Sequence, residues 1–373
     1  MTAPSPENID TVIIGAGQAG LAVGYHLTRP GGPSFVILEA NDRVGDPWRR
    51  RWDSLRLFTP GRYDGLPGLR FPGPAWSFPT KDEMAGYLEG YARRFDLPVR
   101  TGVRVDRVRR QDDRYVVACG DTRYVAANVV VATGAYQAPR IPAFAAGLDP
   151  AIVQMHSCEY RNPSQLREGP VLVVGAANTG AELALEASRH GHQAWLSGRD
   201  VGQETPFRPG SLPDRVVTPP FWFLLSRVLT SRTPVGRRLR RTYSTVGTPL
   251  VRIKPKDLAA AGVARVPRTA GVRDGLPVLD DGRVLDVSNV LWCTGFRPDL
   301  GWIDLPVLDG HGSPVHERGV VAAYPGLYFV GRFFLHSLTS SLVGGVGRDA
   351  GYIARHLVSR HRRLKAELTT NLG

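Results

Sequence analysis

The stretch Ile9-Asp10-Thr11-Val12-Ile13-Ile14-Gly15-Ala16-Gly17-Gln18-Ala19-Gly20-Leu21 decides the fold. An apolar, β-branched run ends on Gly15, and a helix-like stretch carrying Leu21, Val23 and Leu27 follows Gly20, so a G-x-G-x-x-G lies between a strand and a helix. That is the context a dinucleotide-binding loop requires. Gly15 permits the tight turn, Gly17 lets a pyrophosphate approach the backbone, and Gly20 lets helix and strand pack closely. A second β-like run over residues 34–38 delivers Glu39 about 20 residues after the loop, where an acid accepts ribose hydroxyls.

The pattern recurs. Val171-Leu172-Val173-Val174 leads into Gly175-Ala176-Ala177-Asn178-Thr179-Gly180 and then a helix through Leu183, Leu185 and Ala187. Alanine replaces the middle glycine, while the amides at the helix N-terminus still present partial positive charge to a phosphate. Where the first unit has Glu39, the second has Ser197-Gly198-Arg199. An arginine without an acid favours a 2′-phosphate, hence NADP over NAD; the alternative is a solvated surface arginine.

Two apolar runs end alike, Val129-Val130-Val131-Ala132-Thr133-Gly134 and Val290-Leu291-Trp292-Cys293-Thr294-Gly295, as though the chain left each nucleotide unit in the same way. The expected architecture is α/β with two Rossmann-like domains. An FAD-binding domain spans residues 1–165 and 286–373, and an NADPH-binding domain over 166–285 is inserted in it, carrying an extra segment at about 205–256. Two such units in one chain imply two dinucleotides face to face, a flavin accepting the hydride that NADPH donates. Residues 344–349, a glycine-rich entry to a helix with Asp349, offer a second place to stabilise negative charge.

Cysteine usage narrows the chemistry. Cys119, Cys158 and Cys293 are isolated, with no C-x-x-C pair to pass electrons to a disulfide. The formal charge of +13 comes almost wholly from arginine, since only four of 47 basic residues are lysine, and no basic helix with stacking aromatics accompanies it. Nucleic acid is not an expected partner. The polar start of the chain lacks the regions of a signal peptide, and no apolar stretch reaches the ~18 residues of a membrane span, so the expected location is cytoplasmic.

Two segments are open to more than one reading. Residues 61–79 are rich in glycine and proline yet carry Tyr63, Phe71, Trp76 and Phe78, which suits a roof over a pocket or simple packing on the core. Residues 215–256 hold ten basic residues, no acid, and the apolar Phe221-Trp222-Phe223-Leu224-Leu225. This segment either lies on an anionic membrane or packs its apolar stripe on the nucleotide domain. Residues 81–96, with Met84, Tyr87, Leu88, Tyr91 and Phe95 at helical spacing, read as a core-facing helix.

Through the two loops, Thr133-Gly134, Thr294-Gly295-Phe296-Arg297-Pro298 and residues 326–331, the sequence resembles the class B flavin-dependent monooxygenases. Within them it is more similar to short bacterial flavin-containing monooxygenase-like proteins and plant indole-3-pyruvate monooxygenases than to the Baeyer–Villiger branch. Of the family fingerprint F-x-G-x-x-x-H-x-x-x-F/Y, His156 and Tyr160 are present, whereas Pro150 and Ile152 stand at the Phe and Gly positions. Thr59 stands near where many members place an asparagine close to the flavin. The resemblance implies that FAD is held by Gly15, Gly17, Gln18, Ala19, Gly20, Glu39, Trp48, Ala132, Thr133, Gly134 and Gly331. It likewise assigns NADPH to Gly175, Asn178, Thr179 and Arg199. His156 is a linker residue that couples domain movement to NADP⁺ placement, and Thr59 lies beside the chemistry. The implied reaction uses NADPH and molecular oxygen, forms a C4a-(hydro)peroxyflavin and oxygenates a small sulfur or nitrogen nucleophile or an α-keto acid. The alternative is an NADPH:FAD oxidoreductase passing electrons to oxygen or a quinone.

Overall fold

The computed structural model describes residues 5–204, 206–243 and 248–370. Residues 1–4 and 371–373 of the expected FAD-binding unit, and 205 and 244–247 of the expected insertion, lie outside the described residues. Strand β1 (Glu7–Ile14) feeds Gly15 into helix α1 (Gln18–Leu27), and β2 (Phe35–Leu38) pairs parallel to β1. A short helix α2 (Asp46–Arg49) and the longer α3 (Lys81–Arg94) precede the edge strand β3 (Val99–Arg100). At the start of α3 the Thr80 hydroxyl accepts the Glu83 amide, and the Glu83 carboxylate accepts the Thr80 amide, a reciprocal cap. Its stripe of Met84, Tyr87, Leu88 and Tyr91 is buried, as the spacing predicts.

Strands β4 (Arg107–Gln111), β5 (Arg114–Cys119) and β6 (Thr122–Val131) form an antiparallel meander. β6 also runs parallel to β1 along its whole length, which returns the chain to the sheet centre. The connector β7 (Ala138–Pro139) leads to a second sheet.

There β8 (Val153–His156) is followed by β9 (Val171–Val174), α4 (Asn178–Arg189) and β10 (Ala194–Ser197). Helices α5 (Leu212–Phe223) and α6 (Pro234–Tyr243) form the insertion, and α7 (Pro255–Ala260) precedes the edge strand β11 (Ala264–Val266). A hairpin of β12 (Thr269–Arg273) and β13 (Leu276–Leu279) projects before β14 (Asn289–Trp292) slots between β8 and β9. β15 (Phe296–Arg297) then pairs antiparallel with β7, β16 (Leu327–Phe329) pairs parallel with β6, and α8 (Val343–Thr370) ends the described chain.

The first sheet has the order β3-β2-β1-β6-β5-β4 with β16 also on β6, and the second has the order β11-β10-β9-β14-β8. The C-terminal ends of β1 and β6, all of β9 and all but Asn289 of β14 are apolar because helices or loops cover both faces; Val12, Ile13, Val130, Leu172, Val173 and Leu291 are fully buried. β8 and β14 are strands of the second sheet, so that sheet reaches back to residue 153 and forward to 292. The expected bounds of 166 and 285 fall inside it. Pairing between strands far apart in sequence sets these edges, and no local punctuation marks them.

Candidate active site

The two glycine loops share one geometry. Gly15 has φ +105° and Gly175 φ +113°, values costly for residues with a Cβ, and each sits against the carbonyl that ends the neighbouring central strand. A Cβ on Gly15 would lie 2.8 Å from the Ala132 oxygen, and one on Gly175 2.2 Å from the Cys293 oxygen. Gly20 and Gly180 are required by packing instead, since a Cβ there would lie 1.9 and 1.7 Å from the Gly15 and Gly175 oxygens respectively. At the middle position Gly17 caps α1 with φ −75°, ψ −177°, and Ala177 caps α4 with φ −82°, ψ −170°. That extended conformation accepts a methyl, so the alanine costs no backbone strain.

Neither cap makes a side-chain hydrogen bond, and neither helix has an acid in its first turn. A Cβ on Gly17 would meet nothing within 4 Å, so the loop borders open space at the N-terminus of α1. Such space at an uncapped helix start suits a pyrophosphate. Beside it the Glu39 carboxylate is buried and held by the Ala16 amide at 2.8 Å and the Asn41 amide at 3.0 Å. Gly134 also borders open space, and the Gln137 amide donates to the Thr133 hydroxyl at 2.5 Å. Gly331 lets the end of β16 approach α1, since a Cβ there would lie 2.6 Å from that of Ala19. Gln18 reaches the Ser341 carbonyl at 3.3 Å and so ties α1 to the approach to α8. Half-buried Trp48 sits on α2, and the buried Trp52 Nε1 has no hydrogen-bond partner.

The second site differs in two respects. The Asn178 side chain donates to the Pro249 carbonyl at 2.9 Å and accepts the Val251 amide at 2.9 Å, so it pins residues 249–251 and is not free for a nucleotide. Arg199 is exposed at the end of β10 with no ion-pair partner among the described residues, and Thr179 lies in the first turn of α4. Arg265, on the adjacent β11, donates to the Gly198 carbonyl at 3.2 Å and places a second guanidinium beside that strand end. Strand order alone brings Arg265 there, which is why the linear sequence conceals it.

His156 ends β8, the edge strand of the second sheet, and is fully buried. Its Nδ1 accepts the Cys158 amide at 3.3 Å, so Nε2 carries the proton and donates to the Gly295 carbonyl at 3.0 Å. The ring stacks edge-on against Phe296 of β15. Burial holds its pKa below the ordinary histidine value. Both nitrogens are engaged, an arrangement that fits a positioning group and not a proton shuttle.

Thr59 donates its hydroxyl to Asp64 Oδ1 at 2.5 Å, while Asp64 Oδ2 is buried without a partner. Burial pushes the Asp64 carboxyl up to about 7, against the opposing effect of the Thr59 bond. Nothing in the linear sequence marks Asp64, which only the fold brings against Thr59. Next to it a cavity of about 460 Å³ is lined by Gly65, Leu66, Pro67, Arg227, Gly344, Gly347 and Arg348. It joins the 61–79 loop, the insertion and the start of α8. The glycines of α8 answer to packing there: a Cβ on Gly344 would lie 1.8 Å from the Tyr63 oxygen, and one on Gly347 2.5 Å from Pro67. Asp349 is buried one turn further on, 3.6 Å from Arg318. Over the cavity rim Trp222 of α5 stacks on Tyr63 with ring centroids 4.6 Å apart.

Residues 12–211 match the family described as pyridine nucleotide-disulphide oxidoreductase. The chain belongs to that family. It is 39% identical over 353 residues to an uncharacterized CzcO-like oxidoreductase of Geobacillus kaustophilus, covering 94% of this chain and 99% of that protein. It is 34% identical over 392 residues to the indole-3-pyruvate monooxygenase YUCCA6 of Arabidopsis thaliana, covering 93% and 89%. The solved flavin-containing monooxygenase from Stenotrophomonas maltophilia superposes with a TM-score of 0.75 at 29% identity, covering 95% of this chain and 99% of that one. The protein is thus a flavin-dependent oxidoreductase of the class B monooxygenase type, with two Rossmann-type domains and with FAD and NADPH as cofactors. Disulfide chemistry needs a thiolate, yet burial raises the Cys119, Cys158 and Cys293 thiols above their ordinary value. Among the described residues no helix is long and apolar enough to cross a membrane, and no metal-ligating cluster is present.

Proposed function

We propose that the protein is an NADPH-dependent monooxygenase that inserts one oxygen atom of O₂ into a small sulfur or nitrogen nucleophile or an α-keto acid. The observation that carries this reading is the pair of matched, uncapped helix N-termini, α1 and α4, on two sheets of one chain with no dithiol between them. Bound FAD supplies hydride acceptance from NADPH and then oxygen activation. The chain's own part is to bind, orient and exclude water. The first-turn amides of α1 hold the FAD pyrophosphate and Glu39 its ribose, with Gln18, Ala19, Trp48, Ala132, Thr133, Gly134 and Gly331 shaping the cleft. The first turn of α4, with Thr179 and the guanidiniums of Arg199 and Arg265, holds NADPH. His156 holds the chain leaving β14 against β8 through Gly295. Trp222 on Tyr63 closes the cavity rim against water. The name of the plant relative supports the keto-acid class.

A second reading is an oxidase that returns the electrons to oxygen or a quinone. It is favoured by Thr59, whose hydroxyl is already given to Asp64 and so donates to nothing else. The two separate by stoichiometry. NADPH-driven turnover with isotope-labelled oxygen and panels of sulfides, amines and keto acids is expected to place one labelled atom in product per NADPH consumed for one of these classes. Hydrogen peroxide release equal to NADPH consumption with every panel member establishes the oxidase instead.

A further inference from the structure

Helix α5 turns the wrong face outward. About 3.6 residues make one turn, so residues 214, 218 and 222 form one stripe and 212, 216 and 223 another, about 140° away around the axis. The first stripe is the packed one. Asp214 is buried and accepts the Gly210 amide at 2.8 Å and the Thr218 hydroxyl at 3.1 Å, and Trp222 stacks on Tyr63. The second stripe is apolar and bare: Leu212 is 76% exposed, Val216 67% and Phe223 60%. A surface helix ordinarily shows water its polar side. The exposure continues through Val228 of the following turn and Val235 of α6. Large exposed hydrophobic side chains among the described residues number ten, and six of them fall between 212 and 235, so this is a patch and not scatter.

The charge carried by this segment has one sign. Arg227, Arg232, Arg237, Arg238 and Arg240 are exposed on the turn and on α6, and no Asp or Glu occurs between residues 215 and 256. The packing and membrane readings of the sequence are therefore compatible, because they use opposite faces of one helix. An apolar stripe bordered by arginines complements an interface where acyl chains meet anionic headgroups. A protein partner of mixed charge leaves the arginines unmatched. We propose that the outward face of α5, with the turn after it and α6, docks on an anionic lipid surface.

Flotation of the FAD-loaded full-length protein with vesicles tests this. Vesicles of phosphatidylcholine and phosphatidylglycerol are expected to carry the protein at low salt, pure phosphatidylcholine vesicles far less, and high salt to release it. Val216→Asp with Phe223→Asp is expected to lower the bound fraction about tenfold or more, and Arg237→Glu about fivefold or more. Leu212→Ser, at the most exposed position, is the milder check should the double variant lose its flavin or its thermal transition. Absence of binding to phosphatidylglycerol vesicles at low salt overturns the proposal. So does equal binding to both vesicle types, or a stable dimer in light scattering that Leu212→Ser dissociates without any vesicle binding by the wild type, since the patch then serves a second copy of the chain.

Discussion

Thr59 Oγ1 donates to Asp64 Oδ1 at 2.5 Å, and this bond leaves the other oxygen of a fully buried carboxyl without a partner. Burial raises the folded pKa to about 7 from an ordinary 3.8. Between those values the folded protein binds the proton more readily than the unfolded chain does, so its contribution to stability is complete below the lower value and lost as pH rises through the upper one. The loss is on the order of 4 kcal/mol. Asp64→Asn keeps an acceptor for Thr59 and removes the titration. Thermal melts of flavin-free protein from pH 4 to pH 8 are expected to show wild-type Tm falling relative to the variant. Parallel profiles for the two proteins rule out Asp64 as the titrating group.

Gly17 and Gly20 separate ligand from packing. A methyl at residue 20 would lie 1.9 Å from the Gly15 oxygen, whereas one at residue 17 meets no protein atom, and Ala177 already shows that the extended cap accepts it. Gly17→Ala is therefore expected to leave the Tm of the flavin-free protein within a degree or two while weakening FAD retention about tenfold or more. Gly20→Ala is expected to destabilise the fold itself by several kcal/mol, on the order of an overpacked core. Equal flavin retention by Gly17→Ala and wild type in a dialysis assay places the pyrophosphate elsewhere.

The His156 ring bridges β8 and the Gly295 carbonyl just past β14, so its removal loosens the exit of the second sheet without touching either glycine loop. His156→Ala is expected to keep bound FAD at wild-type content and to slow flavin reduction by NADPH about tenfold or more. His156→Asn, which still offers a donor, recovers part of that rate. Because burial holds the ring's pKa below the ordinary 6.5, any inflection it causes in the reduction rate is expected below that pH, with none between pH 7 and pH 8. An inflection that disappears in the alanine variant identifies His156 as a proton carrier.

What the sequence disclosed and what it withheld divide by range. The β1 turn into α1 was legible because strand, glycines and helix are contiguous, and the second loop was legible despite Ala177 because its strand and helix repeat the same local pattern. The edges of the second sheet were not, since β8 and β14 enter it by pairing with each other across the whole inserted unit. Asn178 looked free for NADPH because only the folded chain brings residues 249–251 onto it. The glycines at 344–347 suggested an anion site and proved to be contacts with Tyr63, Thr339 and Pro67. Residues 221–225 were legible as an apolar run in a basic segment, yet which face of the helix is buried follows from Trp222 meeting Tyr63.

Arg199 and Arg265 come from neighbouring parallel strands, with Leu196 of β10 paired to Arg265 of β11 and the Gly198 carbonyl accepting the Arg265 guanidinium. A 2′-phosphate at that strand end meets two delocalised cations, and Gly198 follows β10 where Glu39 follows β2 in the first unit. Each single replacement, Arg199→Ala or Arg265→Ala, is expected to raise the KM for NADPH about tenfold and leave the KM for NADH unchanged. The double variant should approach equal use of the two nucleotides. Because Arg265 also supports the Gly198 turn, Arg265→Lys is the control: it retains a cation, and it should recover NADPH preference more fully than Arg265→Ala if the charge matters. Single variants whose NADPH and NADH constants rise together would show that these arginines stabilise the strand end and read no phosphate.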